Sequence, residues 1–188
     1  MLNSISDNEL MLKVKEGDLD KLGLLFERYN KRLYHFFYRL TDRSDLSEDL
    51  VQGVFERILK YRNTYTNDGS FSTWIFQIAR NLQADHYRKN QYSGTPEEFI
   101  NWEQLEDDTF AYKEKYRRKN ELKLLQQAIN KLDDIKKETL ILSRFEGFKY
   151  KEIANIMECS ESAVKVRIFR ALQEIEVHIK EFNRNDYD

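Results

Sequence analysis

The chain is poor in the two residues that most often interrupt helices, with one proline and six glycines among 188 residues. Turn-rich β folds and phosphate-cradling loops need many such residues, so this composition argues against both. Apolar residues recur at helical spacing, and we find no segment with the period-2 pattern of a half-buried strand. We therefore predict an all-α protein, with four helices on each side of a central segment. The pattern Ser6-Asp7-Asn8-Glu9 is a capping box that begins the first of these helices.

The central segment, 93–116, contains the only proline, and residues 93–112 carry a net charge of −6. A stretch that is acidic and contains both Gly94 and Pro96 is typical of a linker. We expect two small helical domains, at 1–92 and 117–188, with few fixed contacts between them.

Several classes of protein are unsupported by the composition. No apolar run approaches the ~20 residues of a membrane span, and the acidic N-terminus lacks the pattern of a secretion signal. A single cysteine, Cys159, excludes an internal disulfide, and three scattered histidines give no zinc-ligand spacing. No paired carboxylates or nucleophile–base pattern indicates an enzyme. We expect a cytoplasmic protein without a cofactor and without direct membrane insertion.

The net charge of −2 conceals a pattern along the chain. Residues 21–92 carry +4 and residues 113–188 carry +3, so each predicted domain could present a basic patch. An ordinary mixed surface would give the same numbers. Charge alone therefore leaves a nucleic-acid partner undecided.

Residues 150–165 have the spacing of a helix-turn-helix. A short helix with an apolar side is followed by a three-residue turn and by Ser160, which is placed to cap the next helix. No acidic residue occurs between Ser162 and Gln173, and the outer face there suits phosphates and base edges. Its candidate DNA-binding residues are Ser162, Lys165, Val166, Arg167, Phe169 and Arg170. The alternative is a plain helical hairpin, but Phe169 among basic residues favours DNA.

The predicted helix after Ser70 has a polar stripe beside its apolar one. An aromatic group, amides and charges recur along this stripe, which suits single-stranded or opened nucleic acid. The candidates on the helix are Trp74, Gln77, Asn81, Asp85 and Arg88, and the preceding loop adds Arg62, Asn63, Tyr65 and Asn67. Half-buried packing of Trp74 remains an equal alternative at this point.

The predicted helix from Asp45 to Tyr61 has an acidic stripe opposite its apolar face. Asp49 and Gln52 lie on the stripe and Phe55 flanks it, an arrangement that could dock a basic partner surface. More often such a stripe is simply solvated. Gly53 inside the helix costs roughly 1 kcal/mol relative to alanine, and the sequence offers no reason for it.

Three motifs, at 49–55, 71–81 and 152–171, occur in this order with the acidic segment before the third. Together they resemble the extracytoplasmic-function sigma factors of bacterial RNA polymerase, over a span from about Leu24 to Ile179. The resemblance implies that 1–92 is sigma region two and 117–188 is sigma region four. It also implies a promoter-specificity subunit rather than an enzyme.

The resemblance assigns partners and roles. Asp49, Gln52 and Phe55 would dock on the clamp helices of the largest subunit of core RNA polymerase, and region four would rest on the flap. The loop 62–70 and the polar stripe after it would hold the opened minus-ten element of promoter DNA, including one flipped base. The candidates from Ser162 to Arg170 would read the minus-thirty-five element, with Ser162 and Arg167 nearer the phosphates. The family commonly has an anti-sigma factor as a further partner.

Two other interpretations remain open from the residues. An ordinary helix-turn-helix regulator with a helical sensor domain would bind duplex DNA and would not need the Trp74 stripe. An all-helical scaffold protein would need neither DNA-binding face.

Overall fold

The computed structural model describes residues 5–89 and 112–185, with side chains described over 5–89 and 121–182. The described part contains eight α-helices and no strand, which confirms the all-α prediction. Most of the predicted linker, up to residue 111, lies outside the described residues.

The N-terminal half forms four helices and one short 3₁₀ turn. They are α1 (Asp7–Lys15), α2 (Asp20–Thr41), α3 (Ser44–Tyr61), the turn (Arg62–Thr64) and α4 (Phe71–Lys89). A capping box begins α1: the Ser6 hydroxyl accepts from the backbone of Glu9, and the Glu9 carboxylate accepts from the backbone of Ser6. The predicted first helix is therefore confirmed with its cap.

The C-terminal half forms the other four helices. They are α5 (Tyr112–Asn130), α6 (Asp134–Arg144), α7 (Tyr150–Ile156) and α8 (Glu161–Asn185). The Ser160 hydroxyl accepts from Ala163 N at 3.1 Å, so it caps α8 as predicted. Glu158, in the turn between α7 and α8, has a φ of +51°, a backbone conformation that favours glycine. These features complete the helix-turn-helix.

One apolar core runs through both halves of the molecule, so the expectation of few fixed contacts is wrong. Buried Phe76 of α4 packs edge-on against buried Phe148, which precedes α7, with ring centroids 5.0 Å apart. The buried face of α7, including Ile153, belongs to the same cluster as Leu33 of α2. A second, smaller cluster joins α5, α6 and α8. The helix-turn-helix therefore rests partly on the N-terminal domain.

Buried charges cross the same contact between the halves. The Glu146 carboxylate is 3% exposed and lies 2.9 Å from Arg32 Nε and 3.6 Å from Arg39 Nη1. The carboxylate of Glu138 accepts from Arg80 Nε on α4. Burial raises the pKa of Glu138 and Glu146, and the neighbouring arginines oppose that rise. The interface between the halves is therefore apolar at its centre and ionic around it.

No helix of the described residues is long and apolar enough to cross a bilayer.

Candidate nucleic-acid interface

The outer face of α8 is free in the structure and carries the predicted upstream-element residues. Phe169 is 62% exposed and Val166 is 46% exposed, both unusually open for apolar side chains. Ser162, Lys165 and Arg170 are also exposed on this helix. Lys165 pairs with Glu161 at 3.4 Å, and this ion pair lies on the surface and costs little to break. Five of the six candidates thus face outward from one helix.

Arg167, the sixth candidate, lies deeper than the others. It is half-buried, and its Nη1 lies 3.4 Å from Cys159 Sγ in the turn between α7 and α8. Its charge also opposes the rise in the pKa of Glu138, which burial causes. Arg167 therefore links α8 to the turn that precedes it.

Trp74 sits where the loop 62–70 meets α4, with its ring half-buried. The ring centroid lies 5.0 Å from that of Tyr65, at an interplanar angle of 64°, and 6.0 Å from that of Phe71. Tilted aromatic contacts of this kind hold a ring in one orientation. Trp74 is thus packed against its neighbours and also partly exposed. Both interpretations of its pattern, half-buried packing and a surface for opened nucleic acid, are compatible with this position.

Tyr65 is only 3% exposed, and this burial conflicts with a direct DNA contact by its side chain. Burial also raises the pKa of its phenol. The sequence pattern could not separate Tyr65 from its exposed neighbours, because both kinds of residue occur in a polar loop. In the structure, Tyr65 supports the ring of Trp74 from below.

The polar stripe of α4 is organised around one carboxylate. Asp85 accepts from Arg57 Nη2 at 2.6 Å and from Arg88 Nη2 at 2.5 Å. These guanidinium groups, Arg57 first, hold the pKa of Asp85 below its usual value. Asn81 and Arg88 are exposed on the same helix. Asp85 therefore holds two cations in place on this face.

Helices α3 and α4 lie close together beside this pair. A Cβ atom at Gly53 of α3 would come within 2.9 Å of Leu82 Cδ2, the end of a side chain on α4 that would have to shift. Where the helices approach in this way, Arg57 of α3 reaches Asp85 of α4. Sequence reasoning missed Arg57 because its role depends on this approach.

The remaining loop candidates differ in how freely they can move. Asn63 is exposed, whereas Arg62 Nη1 donates to Leu59 O at 2.6 Å and so closes the end of α3. Asn67 is exposed with a φ of +62°, in the left-handed region. Its Oδ1 accepts from Asn8 Nδ2 at 2.6 Å. Asn8, on α1, carried no motif that could have identified it.

The acidic stripe of α3 exposes Asp49 and Gln52, as predicted for a docking surface. Phe55 is only 7% exposed, which conflicts with a direct docking role. Its ring lies 4.9 Å from that of Phe26 on α2, and Phe26 is 42% exposed. The accessible aromatic group beside the stripe is therefore Phe26, which lies on a helix that the stripe pattern does not include.

Two family models match the two halves of the chain. Residues 25–92 match Sigma-70 region 2, and residues 122–175 match Sigma-70 region 4. Together these spans cover about two thirds of the chain and include every predicted site residue.

Curated relatives extend the similarity to nearly the full length. The ECF RNA polymerase sigma-E factor of Haemophilus influenzae is 29% identical over 188 aligned residues, which cover 96% of this chain and 98% of that protein. The RNA polymerase sigma-H factor of Pseudomonas aeruginosa is 27% identical, covering 94% of this chain and 95% of that protein.

Solved structures share the fold. CnrH, in complex with the cytosolic domain of CnrY, superposes with a TM-score of 0.70 at 22% identity, covering 93% of this chain and 97% of that chain. The sigma factor RpoE of Bartonella quintana, in complex with the anti-sigma factor NepR, has a TM-score of 0.67 at 21% identity and covers 84% and 96%. The predicted two-domain helical fold and the resemblance drawn from the motifs are both confirmed. The chain belongs to the extracytoplasmic-function sigma factors of bacterial RNA polymerase.

Proposed function

We propose which surfaces carry the three tasks of this sigma factor: binding core RNA polymerase, recognising an upstream promoter element and holding opened promoter DNA. One observation supports the division above all others: the chain has two chemically different faces for nucleic acid. The α8 face is exposed and cationic, whereas the α4 face is aromatic, amide-bearing and internally braced. A protein that bound only duplex DNA would need the first face alone.

The α8 face reads the minus-thirty-five element in the major groove. Arg170 and Lys165 suit hydrogen bonds to base edges, guanine above all. Val166 and Phe169 offer apolar contact to thymine methyl groups. Ser162 and Arg167 lie nearer the phosphates and set the register of the helix on the duplex.

The α4 face and the loop 62–70 hold the opened minus-ten element. Removing one base from the stack costs a few kcal/mol, and stacking on an aromatic ring returns ~1–3 kcal/mol. Trp74 supplies that ring, and Asn81 lies along the same face for hydrogen bonds to a base edge. Four further residues contribute amides and charges for bases and phosphates, namely Arg62, Asn63, Asn67 and Arg88. Tyr65 and Asp85 act indirectly. Tyr65 packs against Trp74, and Asp85 holds Arg88 in place.

The α3 stripe docks on the clamp helices of the largest polymerase subunit. Asp49 and Gln52 provide the polar contacts, and Phe26, resting on Phe55, provides an apolar anchor beside them. Region four also rests on the flap. Region two then spans 1–92, the linker 93–116 and region four 117–188.

The two domains separate when both promoter elements are bound. Elements at minus ten and minus thirty-five are about 25 base pairs apart, or about 85 Å at ~3.4 Å per pair. A compact chain of this length has a radius of gyration of about 16 Å. The packing of Phe76 against Phe148 therefore belongs to the chain off the promoter.

A further partner is an anti-sigma factor. Two solved structures of the same fold are complexes with CnrY and with the anti-sigma factor NepR, which makes a similar regulator a reasonable partner for this chain. The chain acts in the cytoplasm with its polymerase, and we assign it no chemical step of its own.

Transcription by purified core polymerase tests the proposal. Core polymerase with the chain is expected to start at defined promoter sites, and core polymerase alone is not. Glu176→Ala removes the exposed ion pair between Glu176 and Lys180 on α8. This variant serves as a control for the effect of a surface substitution, and it should transcribe like the parent. Sequence-specific duplex binding by the free chain without any effect on transcription would favour the duplex-only regulator. No DNA-dependent effect of either kind would favour the scaffold.

A further inference from the structure

The loop 62–70 is shaped by a helix that precedes it by about fifty residues. Lys15 Nζ on α1 donates to Tyr65 O at 2.6 Å, a partly buried contact that bypasses α2 and α3 entirely. A second tie comes from Asn8, which lies on the same face of α1 about two turns before Lys15. The loop therefore takes its form from α1 as much as from its own turns.

Asn8 uses both ends of its side-chain amide on this loop. Its Nδ2 donates to Asn67 Oδ1 at 2.6 Å and to Gly69 O at 2.7 Å. Its Oδ1 accepts from Phe71 N at 2.8 Å. Phe71 begins α4, so this bond satisfies one of the free amides at the helix start from another part of the chain. One side chain thus joins the tip of the loop to the first residue of the helix that carries Trp74.

The loop tip needs such a tie because Asn67 is in the left-handed region, with a φ of +62°. Asparagine tolerates this conformation but does not enforce it. The bond from Asn8 acts on the Asn67 side chain directly, and the bond to Gly69 fixes the backbone two residues later. The ties together specify one loop shape among several that these residues could adopt.

Helix α1 is itself firmly placed. Arg28 and Tyr29 of α2 both bond to the carboxylate of Asp7, and the capping box at Ser6 closes the first turn. The apolar packing of α1 comes from other residues, namely Leu10, Met11 and Val14. Asn8 is only half-buried, so its amide can be changed without removing that packing. The match to Sigma-70 region 2 begins at residue 25 and does not include α1.

We propose that Asn8 is a positioning residue for promoter opening: it holds the loop 62–70 in the form that receives the flipped base beside Trp74. This rests on the proposed function of that loop and of the α4 face. Asn8 touches no DNA; it acts by ordering Asn67, Gly69 and the start of α4 before DNA arrives. Ordering in advance removes an entropic cost from the binding step.

Two substitutions at Asn8 separate its donors from its acceptor. Asn8→Asp keeps an oxygen for Phe71 N but loses the donor to Asn67 and Gly69. Asn8→Ala loses all three bonds. We expect both to lower the permanganate reactivity of minus-ten thymines in complexes with core polymerase by about tenfold, the order expected for lost hydrogen bonds that order a site. Binding of the holoenzyme to the duplex minus-thirty-five element should stay unchanged.

A merely structural role for Asn8 predicts a different pattern. In that case Asn8→Asp, which still caps α4, would melt at the parent's temperature and open promoters like the parent, and that result would overturn the proposal. Asn130→Ala, at the exposed end of α5, is the matched control. Asn67→Gly keeps the left-handed backbone but removes the acceptor. It should weaken opening, and Asn8→Ala added to it should weaken opening by less than Asn8→Ala does in the parent, because one of the three bonds is already lost.

A reference variant distinguishes failure of this proposal from failure of the proposed function. If Trp74→Ala lowers opening while the Asn8 variants do not, the positioning role is wrong and the loop assignment stands. If Trp74→Ala and Asn63→Ala also leave opening intact, the loop does not hold opened DNA and the positioning role falls with it.

Discussion

The two nucleic-acid faces of this sigma factor are built in opposite ways. On α8, the side chains extend from a single helix into solvent, and Phe169 is the most exposed of its large apolar residues at 62%. On α4 and its loop, nearly every functional group is held by a second residue. Tyr65 supports Trp74, Arg57 and Arg88 flank Asp85, and Asn8 ties the loop tip.

The difference follows from what each face binds. A duplex presents base edges in a groove whose shape already exists, so exposed side chains such as Arg170 can adjust to it. Opened DNA has no fixed shape, and the protein must supply the order that the strand lacks. A braced face lowers the entropy lost on binding, because its side chains are already in place.

The faces also differ in their relation to the contact between the domains. Gln77, on the α4 stripe, donates to Glu158 in the helix-turn-helix turn at 3.3 Å, and Arg80 pairs with Glu138. The exposed face of α8 makes no comparable described contact with the N-terminal helices. We call this packing of the two domains against each other closure. Closure therefore restricts access of DNA to the α4 face more than access to the α8 face.

The largest expected effect comes from breaking that closure. Glu146→Ala removes a buried carboxylate that lies 2.9 Å from Arg32 Nε and 3.6 Å from Arg39 Nη1. Loss of one partner from a buried ion pair typically costs 3–5 kcal/mol, so we expect closure to weaken by roughly 3 kcal/mol. Small-angle X-ray scattering should show the radius of gyration rising above the ~16 Å of a compact chain.

The same variant tests the asymmetry between the faces. Binding of a single-stranded minus-ten oligonucleotide to the free chain should increase, while binding of a duplex minus-thirty-five oligonucleotide should not change. Glu146→Gln, which keeps the shape and one acceptor, should fall between the parent and Glu146→Ala. Equal gains for both oligonucleotides would contradict the idea that closure restricts one face more than the other.

Trp74→Ala is expected to have the next largest effect, on opening alone. Loss of a stacking platform costs ~1–3 kcal/mol per base, or about 5- to 150-fold in open complexes. Permanganate footprinting of the holoenzyme on a promoter measures this, with duplex minus-thirty-five binding as the internal reference. Trp74→Phe retains an aromatic ring and should recover part of the loss. If Trp74→Ala folds and opens promoters normally, the braced face does not hold the flipped base.

Some of the features behind these predictions could be predicted from the sequence, and others could not. Helix limits, the Ser6 and Ser160 caps and the outward face of α8 follow from local spacing, and the structure agrees with each. The bracing of the α4 face does not follow from spacing. Arg57 and Asn8 reach that face from other helices. Gly53 of α3 lies against Leu82 of α4, a contact that the spacing along α3 alone does not reveal.

Burial explains the misplaced assignments. Tyr65 and Phe55 have side chains that suit DNA or protein contacts, but each is covered by a more exposed aromatic, Trp74 or Phe26. The linker gave the strongest signal for separate domains. The contact between Phe76 and Phe148 was not visible from the sequence, because Phe76 lies on α4 and Phe148 in the loop before α7, and local spacing does not pair residues so far apart.

Arg170→Ala should have an effect of similar size to that of Trp74→Ala, but one that depends on the base. A bidentate contact to guanine contributes ~1–3 kcal/mol of discrimination, so the loss should appear at particular upstream bases and vanish when those bases are changed. Arg167→Ala, the comparison variant, should weaken all sequences similarly, because Arg167 lies at the base of the helix near Cys159. Competition binding of the holoenzyme to a set of single-base promoter variants measures both. Equal, base-independent losses would remove Arg170 from base reading.

Asp85→Asn should have the smallest effect, and it decides whether the bracing of the α4 face is itself a contact with DNA. Asparagine keeps the shape but only one oxygen, and Arg57 and Arg88 contact different oxygens of Asp85, so one of the two arginines loses its acceptor. The loss is small because both ion pairs are partly exposed to solvent. If Asp85 orients these cations, opening should change only slightly and equally for every base at the flipped position.

The two arginines hold the pKa of Asp85 below its usual value of 3.8, so the carboxylate remains charged at neutral pH. Its contribution to stability is present above the unfolded pKa and is lost only as the pH falls through the lower folded value. The small effect should therefore be the same at pH 6 and pH 8. A changed preference among bases in Asp85→Asn would instead place this carboxylate against the base edge, and the α4 face would then read sequence through a residue that the structure assigns to bracing.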